Sequence, residues 1–375
     1  MNSVEEFIQV NQPCLAGNEA EYLQECIDTG WISSEGPFVS RLETEFSAMV
    51  GRRYGVAVCN GTAALEAAVA ALRLGPGDEV ILPTFTIISC AAAIVRAGAV
   101  PVLVDSMPDN WNMQVDQIAE KITLRTKAIM VVHIYGLPVD MDAVQAIADK
   151  HNLKVIEDAA ELHGGRYRQR MCGSFGDIST FSFYPNKHVT TGEGGMILTD
   201  YETLAERCRS LRNLCFQPGR RFVHEELGWN MRMSNLQAAV GVAQLERLPE
   251  FAQRKRRLGA LYTELLHNVP GISLPVARTP DADNIYWVFG VVLNDDVPFD
   301  AQTAMKRLAE LGVGTRPFFW PMHEQPVLRR MGLFAGETYP VAEKLARRGF
   351  YLPSGLGITE DQICRSAAAL KEILA

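Results

Sequence analysis

Short apolar runs alternate with segments of helical periodicity along the first half of the chain. The runs, rich in valine and isoleucine, are EVILP, PVLVD, AIMVVHIYG and KVIEDAAELHG at residues 79–83, 101–105, 128–136 and 154–164. Between them, apolar positions recur at helical spacing over 87–97, 115–122 and 140–151. Apolar strands separated by helices predict an α/β fold with a mostly parallel sheet covered on both faces. In such sheets, ligands bind beyond the carboxyl ends of the strands.

The flanking segments predict further elements and a second domain. Before the alternation we expect an arm at 1–16, helices at 17–29, 39–50 and 63–74 (ended by Gly75), a strand at 54–59 and an Asn-Gly-Thr turn at 60–62. A break in the pattern near 248–257 suggests a domain boundary, with a large domain over 1–250 and a small α+β domain over 251–375. In the small domain we expect strands at 286–293 and 313–318, a helix at 301–311 and a final helix from Thr359.

Composition and charge exclude several classes of protein. The chain has 375 residues, of which 47% are hydrophobic, and a formal net charge of -8, so we expect substantial cores and no nucleic-acid partner. The acidic N-terminus and the lack of ~18 continuous apolar residues predict neither a signal peptide nor a membrane span. The 8 cysteines are scattered without zinc-type spacing, which indicates reduced thiols, a cytoplasmic protein and no metal site. No GxGxxG follows the first strand, so a nucleotide-dependent dehydrogenase is set aside.

The stretch TFSFYPNKHVTTGEGGMI at residues 180–197 joins a strand, a bend, one lysine and a glycine-rich return. Lys187 lies at the tip of the bend, where Gly194 and Gly195 allow a ligand to approach closely. An ordinary surface lysine is the alternative, because most lysines are exposed. A lysine that carries an aldehyde cofactor such as pyridoxal phosphate also needs an anion site for the phosphate, a carboxylate for the ring nitrogen and walls for the ring.

Candidates for the phosphate site lie at the start of a predicted helix. Gly61 and Thr62 can present the unpaired first amides and the positive end of the helix dipole to an anion. Thr62 could instead be an ordinary N-cap. Ser182, five residues before Lys187, could add a hydroxyl, and its alternative is an ordinary strand serine.

Candidates for the carboxylate lie at the end of the 154–164 run. Asp158 follows a predicted strand, where its carboxylate can pair with a protonated pyridine nitrogen, and its alternative is a helix N-cap. Glu161 and His163 follow at spacings that could direct them into the same cleft. A single histidine is more often a structural residue than a catalyst.

Six ordered motifs, NGTAAL, PTFT, VIEDAAE, TFSFYPNK, TTGEGGM and GWNMRMSNLQAA, resemble the DegT/DnrJ/EryC1/StrS family of sugar aminotransferases over nearly the whole chain. The resemblance implies the fold type I of pyridoxal-phosphate enzymes. With WISS near the start and RPFFWPMHEQP late in the chain, the pattern looks most like the GDP-perosamine synthases of that family. These make a 4-amino sugar from GDP-4-keto-6-deoxymannose and glutamate, so the implied substrates are a nucleotide-linked ketosugar and L-glutamate.

The resemblance also assigns roles to residues. It implies that Lys187 bonds to the cofactor, which cycles between its pyridoxal and pyridoxamine forms, and that Lys187 shuttles protons. Asp158 would pair with the ring nitrogen, Glu161 would contact the ring hydroxyl, and Gly61, Thr62 and Ser182 would hold the phosphate. Asn230 would reach the cofactor phosphate of a second subunit, which implies a homodimer with shared active sites. The substrate contacts implied by the resemblance or expected in the same cleft are Trp31, Ser33, Ser34, Phe85, His163, Arg220 in the 216–221 loop, and His323.

One departure and two rival functions remain. Many relatives have an aromatic residue stacked on the cofactor ring where this chain has Ile87, which can cover the ring by dispersion, and Phe85 is a further candidate wall. A related branch of sugar 3-dehydratases has histidine in place of the lysine, and here His188 follows Lys187. A non-catalytic regulator is the second rival. The resemblance leaves open whether the sugar is linked to GDP, UDP or dTDP, and whether C4 or C3 is aminated.

Overall fold

The computed structural model describes residues 6–217 and 219–375, so residues 1–5 of the expected arm and residue 218 of the 216–221 loop lie outside the described residues. The helices are α1 Glu19–Thr29, α2 Pro37–Val50, α3 Gly61–Ala71, α4 Ile88–Arg96, α5 Ile118–Lys121, α6 Met141–His151, α7 Glu202–Arg212, α8 Asn235–Glu246, α9 Leu248–Leu266, α10 Ala301–Glu310, α11 Pro326–Arg330, α12 Pro340–Arg348 and α13 Glu360–Leu374. The strands are β1 Tyr54–Val58, β2 Glu79–Pro83, β3 Val100–Val104, β4 Thr126–Val132, β5 Lys154–Asp158, β6 Arg166–Tyr167, β7 Arg170–Met171, β8 Ile178–Ser182, β9 Gly195–Thr199, β10 Ile272–Ser273, β11 Phe289–Leu293, β12 Arg316–Pro317 and β13 Gly349–Leu352.

The main sheet has the order β1-β9-β8-β5-β4-β2-β3 in the described part of the chain. Strand β9 runs antiparallel to both of its neighbours, and the remaining strands are parallel to one another. Alternate residues of β4 pack in hydrophobic cores on opposite faces of the sheet. Met130 and Val132 pack in one core, and Ile129 and Val131 pack in the other. The expected fold, a mostly parallel sheet between helices, is confirmed.

A second sheet of order β10-β11-β13-β12 forms from the C-terminal part of the chain, and all of its pairs are antiparallel. One face of β11 packs through Phe289 and Val291 with helices α9, α10 and α13. Its neighbours Val288 and Val292 pack in the same cluster as Val132 of the main sheet. The second sheet is therefore built against the main sheet, which brings its aromatic side chains to the carboxyl ends of the parallel strands.

Several predicted boundaries are wrong for identifiable reasons. Helix α3 ends at Ala71, before the predicted Leu74, because Arg73 has a left-handed backbone with φ 57°. The predicted break at 248–257 lies within the continuous helix α9, and the interruption is at Arg247, between α8 and α9. Of the strand predicted at 313–318, β12 pairs with β13, and Val313 forms an isolated bridge to Ile8. Helix α12 and strand β13 were not predicted. The division into domains at residue 250 stays a prediction.

No helix among the described residues combines the length and the apolar character needed to cross a membrane.

Candidate active site

A cavity of about 730 Å³ opens where strands β1, β4, β5 and β8 end. Its walls include seven side chains or backbone positions that the sequence predicted for the cofactor, namely Gly61, Thr62, Ile87, Asp158, Glu161, Ser182 and Lys187. The parallel strands explain this convergence, because their carboxyl ends lie at one edge of the sheet.

Lys187 lies in the turn after β8, and its backbone N–H donates to the Tyr184 carbonyl at 2.9 Å. Its side chain is 9% exposed, and Nζ lies 3.9 Å from Oε1 of Glu161. Burial lowers the pKa of the Lys187 amine, although the charges of Glu161 and Asp158 act in the opposite direction. Lys187 is thus a buried amine inside the cavity, and the surface-lysine interpretation is wrong.

The two carboxylates of the cavity differ in their surroundings. Asp158 ends β5 and accepts hydrogen bonds from the Ala160 N–H at 3.0 Å and from the Cys90 thiol at 3.3 Å. It is followed by a turn, so it does not cap a helix. Burial raises the pKa of Asp158, and burial raises that of Glu161 to about 8. Glu161 Oε2 accepts the Tyr135 N–H at 2.8 Å.

The start of α3 forms a small cradle for an anion. Asn60, rather than Thr62, is the N-cap, because its side chain accepts the Ala63 N–H at 2.8 Å. The Thr62 hydroxyl instead contacts Ser89 Oγ at 2.8 Å and lines the cavity. A Cβ atom at Gly61 would lie 2.7 Å from Cβ of Ser182, so only glycine leaves this space open. The N-cap interpretation of Thr62 is therefore wrong.

These residues fit pyridoxal phosphate. The cavity offers a helix N-terminus with two hydroxyls nearby for a phosphate, a buried aspartate for a ring nitrogen and a buried lysine for an aldehyde. The Thr180 hydroxyl in its wall has no hydrogen-bond partner among the described residues, as expected of a group that contacts a ligand. Ile87, 42% exposed, also lines the cavity.

Aromatic side chains in or beside β11, β12 and β13 form a further wall of the cavity, which was not predicted from the sequence. Trp287, Phe319 and Tyr351 line the cavity, and Lys187 Nζ lies 3.7 Å from the centroid of the Trp287 ring. The available signals were the aromatic pairs in NIYWVF and RPFFW next to predicted strands. They did not indicate which face of a strand would meet the main sheet.

Three residues predicted to contact substrate lie in the core, so that prediction needs correction. Phe85 is fully buried and packs on Tyr135, His163 is enclosed by phenylalanine rings, and His323 hydrogen-bonds Thr84 Oγ1 at 2.8 Å. None of the three lines the cavity. Phe85 and His163 pack on aromatic neighbours, and His323 lies between the Thr84 hydroxyl and the Glu343 carboxylate.

Five other predicted residues lie on the surface of the chain, outside the cavity walls. Trp31 is 49% exposed, and its carbonyl accepts from Asn235, as does that of Ser33. Ser34 is half-buried, Asn230 is exposed, and Arg220 is exposed with its guanidinium 3.5 Å from Glu225. Within one chain these residues do not join the cofactor residues.

His188 faces away from the cavity. It is fully buried and contacts the Ile285 carbonyl through Nε2 at 3.4 Å, whereas the neighbouring Lys187 lines the cavity. The side chain presented to a ligand is thus the lysine.

The chain matches the DegT/DnrJ/EryC1/StrS aminotransferase family over residues 13–371. It is 42% identical over 369 residues to the GDP-perosamine synthase of Caulobacter vibrioides, with 98% of both chains covered. It is 39% identical over 366 residues to the GDP-perosamine synthase of Escherichia coli O157:H7, again with 98% of both chains covered.

Among solved structures, S. venezuelae DesV in complex with a ketimine intermediate is similar, with a TM-score of 0.87 and 35% identity, covering 95% of this chain and 94% of that one. The cavity residues, the fold and the sequence match agree. The chain belongs to the DegT/DnrJ/EryC1/StrS aminotransferase family, whose members use pyridoxal phosphate.

Proposed function

We propose that this aminotransferase moves the amino group of L-glutamate to C4 of GDP-4-keto-6-deoxy-D-mannose and so forms GDP-perosamine. The two similar GDP-perosamine synthases, at 39% and 42% identity over almost the whole chain, support this choice of sugar and nucleotide. We further propose a cytoplasmic enzyme that serves surface-polysaccharide synthesis.

The observation that carries the proposal is the buried Lys187 amine in a cavity with Asp158 and Glu161. When bound, pyridoxal phosphate supplies the electron sink for the carbanion that forms as an amino group is lost or gained. Lys187 would hold the cofactor covalently and, once released, carry a proton between the donor Cα and the cofactor. Its lowered pKa favours the neutral amine, which is the form that accepts a proton.

The other residues of the cavity would bind and orient. Asp158, with two hydrogen-bond donors already in place, would keep a protonated ring nitrogen paired. Glu161 would contact the ring hydroxyl, and Gly61, Thr62 and Ser182 would hold the phosphate. Because His188 is turned into the core, the geometry favours transamination over the dehydratase chemistry of the histidine branch.

The same reasoning supports a homodimer. Asn230 and the exposed Trp31, Ser33 and Arg220 lie outside the cavity of their own chain, where they would be free to contribute to the site of a second copy.

A mixing experiment tests whether the two subunits share their active sites. If Asn230 acts on the partner's site, combining the separately inactive Lys187→Ala and Asn230→Ala proteins creates mixed dimers with one intact site. Equal mixing should then restore about a quarter of wild-type activity. No recovery after subunit exchange would contradict the shared site.

A single-turnover experiment tests the reaction and the substrate. The enzyme is first aminated with glutamate, the amino acid is removed, and GDP-4-keto-6-deoxymannose is added. We expect the absorbance of the pyridoxal form to return, with an amino sugar as the product by mass spectrometry. If it does not return, the GDP-perosamine assignment fails, and UDP- and dTDP-linked ketosugars are tested next. A deoxygenated product would place the enzyme among the dehydratases.

A further inference from the structure

Two hydrogen bonds, one from the side chain and one to the backbone, hold Trp287 next to Lys187. Its indole N–H donates to the Asn186 carbonyl at 2.8 Å, directly before Lys187 in the chain. Its own carbonyl accepts from Nζ of Lys255 at 2.7 Å. The residue is 4% exposed, and the face of its ring lies 3.7 Å from Nζ of Lys187. A side chain held at two polar points can keep its ring at a constant distance from the amine.

Lys255 is an unusual buried amine in helix α9. It is 1% exposed, and burial lowers its pKa to about 7. It forms no ion pair within the described ranges and donates to the carbonyls of Trp287 and Ser354. The Ser354 hydroxyl in turn accepts the Phe289 N–H at 2.9 Å. Lys255 thus joins the segment before β11 to the segment after β13, and it determines where the Trp287 backbone lies.

The groups around Lys187 act on its amine from different sides. Glu161 lies 3.9 Å away, and the Asp158 carboxylate at the end of β5 and the Cys90 thiol in α4 also act on the amine. Lys255 contacts the Trp287 carbonyl, and the buried His163 and His188 also feel the charge of Lys187. The Trp287 ring is the apolar surface in direct contact with Nζ. The negative face of an indole attracts an ammonium, most strongly in a desolvated site.

We infer that Trp287 holds the Lys187 amine whenever that amine is not bonded to the cofactor, and that Lys255 is the positioning residue for the Trp287 ring. The inference rests on the proposed role of Lys187. In the aminated state of the enzyme a released lysine would otherwise be free to sample several rotamers. Contact with the ring keeps Nζ within reach of the reacting carbon through both half-reactions. It also favours the ammonium form and so opposes part of the effect of burial.

The test measures the Lys187 amine itself. The enzyme is aminated with glutamate and freed of it, and the rate at which acetic anhydride labels Lys187 is followed against pH by mass spectrometry. In Trp287→Leu the labelling midpoint should fall by about one pH unit, because the ring no longer stabilises the ammonium. Trp287→Phe retains an aromatic face and should shift the labelling midpoint by less. Tyr184→Leu removes another aromatic side chain of the cavity and should leave the midpoint unchanged.

Rates give a second readout. The glutamate half-reaction should slow about 10-fold in Trp287→Leu, and Lys255→Met should change midpoint and rate in the same direction by less. An unchanged labelling midpoint and an unchanged rate in Trp287→Leu would overturn the inference. If Lys255→Met changes neither quantity, Lys255 does not position the Trp287 ring. Lys187→Ala separates the two proposals: if that variant still binds the cofactor covalently, the role of Lys187 is wrong, whatever the Trp287 variants do.

Discussion

Two groups of predicted site residues differ sharply in how the chain presents them. The cofactor group, Gly61, Asp158, Glu161, Ser182 and Lys187, lies at the ends of strands or at the start of a helix, and all its members share one cavity. The outer group, Trp31, Ser33, Ser34, Arg220 and Asn230, lies on loops and the surface, outside that cavity. One chain therefore brings the cofactor group together by itself, and the position of the outer group supports the proposal that its members act on the site of a second copy.

The largest effect is expected at the centre of the cofactor group. Lys187→Ala removes the amine that bonds the cofactor and moves the proton, so kcat should fall by at least about 10⁴-fold, while circular dichroism shows an intact fold. Lys150→Ala, which removes an exposed lysine of helix α6, should leave kcat unchanged. A Lys187→Ala enzyme with an unchanged kcat would contradict the assignment of the cofactor group.

Gly61→Ala tests the anion cradle. The added methyl would meet Cβ of Ser182 at 2.7 Å and close the space above the first amides of α3, so the affinity for pyridoxal phosphate should fall about 10²-fold. Gly75→Ala is the matched control, since its Cβ would meet only the Ala97 carbonyl at 3.8 Å. Fluorescence titration of the cofactor-free proteins measures both. If the two variants bind pyridoxal phosphate with equal affinity, the phosphate does not occupy this cradle.

Glu161 should make the cofactor-free protein less stable as the pH rises. Its pKa of about 8 lies above the unfolded value, so between the two values the native state holds a proton that the unfolded chain has lost. The free energy of unfolding should therefore fall by roughly 2 kcal/mol between pH 6 and pH 8 from this group alone.

Glu161→Gln isolates that contribution. The amide is neutral like the protonated acid, so the free energy of unfolding at pH 6 should be nearly unchanged. The part of its decrease with pH that comes from Glu161 should vanish. The difference between the free energies of unfolding of the two proteins then gives the contribution of Glu161 together with its coupling to Lys187, whose pKa the Glu161 charge raises. Parallel pH profiles for the two proteins would show that Glu161 is ionised throughout.

The smallest effect is expected in the outer group. Among the described residues, the Arg220 side chain forms one ion pair, an exposed one with Glu225, so Arg220→Ala should not change stability. If the residue contacts an anionic nucleotide sugar, KM for that substrate should rise about 10-fold, and the glutamate half-reaction should not change. Arg278→Ala, which removes another exposed arginine, is the control. A loss confined to the glutamate half-reaction would place Arg220 with the amino donor.

The residues of the cofactor group share one cavity, and the sequence signals that grouped them are local. The strand-ending Asp158, the Asn-Gly-Thr turn and the lysine bend each combine a residue type with a position at the edge of the sheet. Thr359 also caps α13 with a complete capping box, as the predicted start of that helix requires. These features depend on neighbours a few residues away, which a single sequence displays.

The failures concern contacts between distant parts of the chain. Phe85, His163 and His323 occur next to cavity-forming motifs, but their orientation depends on packing partners such as Tyr135, Phe46 and Thr84. Trp287 was missed for the same reason, because its contact with Lys187 joins residues about 100 positions apart. Periodicity gives the face of a strand or helix, and only the tertiary fold determines what that face meets.

The turn that carries Lys187 has a consequence for the order of events in biosynthesis. Asn11 donates to the Pro185 carbonyl across 174 positions, and Trp287 donates to that of Asn186 across 101. Asn11 precedes the lysine, but Trp287 follows it, so the ribosome must release residues far beyond Lys187 before the surroundings of its amine are complete. The nascent chain can therefore form the main sheet while that amine is still unrestrained. Capture of pyridoxal phosphate would then be a late step of maturation, detectable as weak cofactor binding by chains stalled before Trp287.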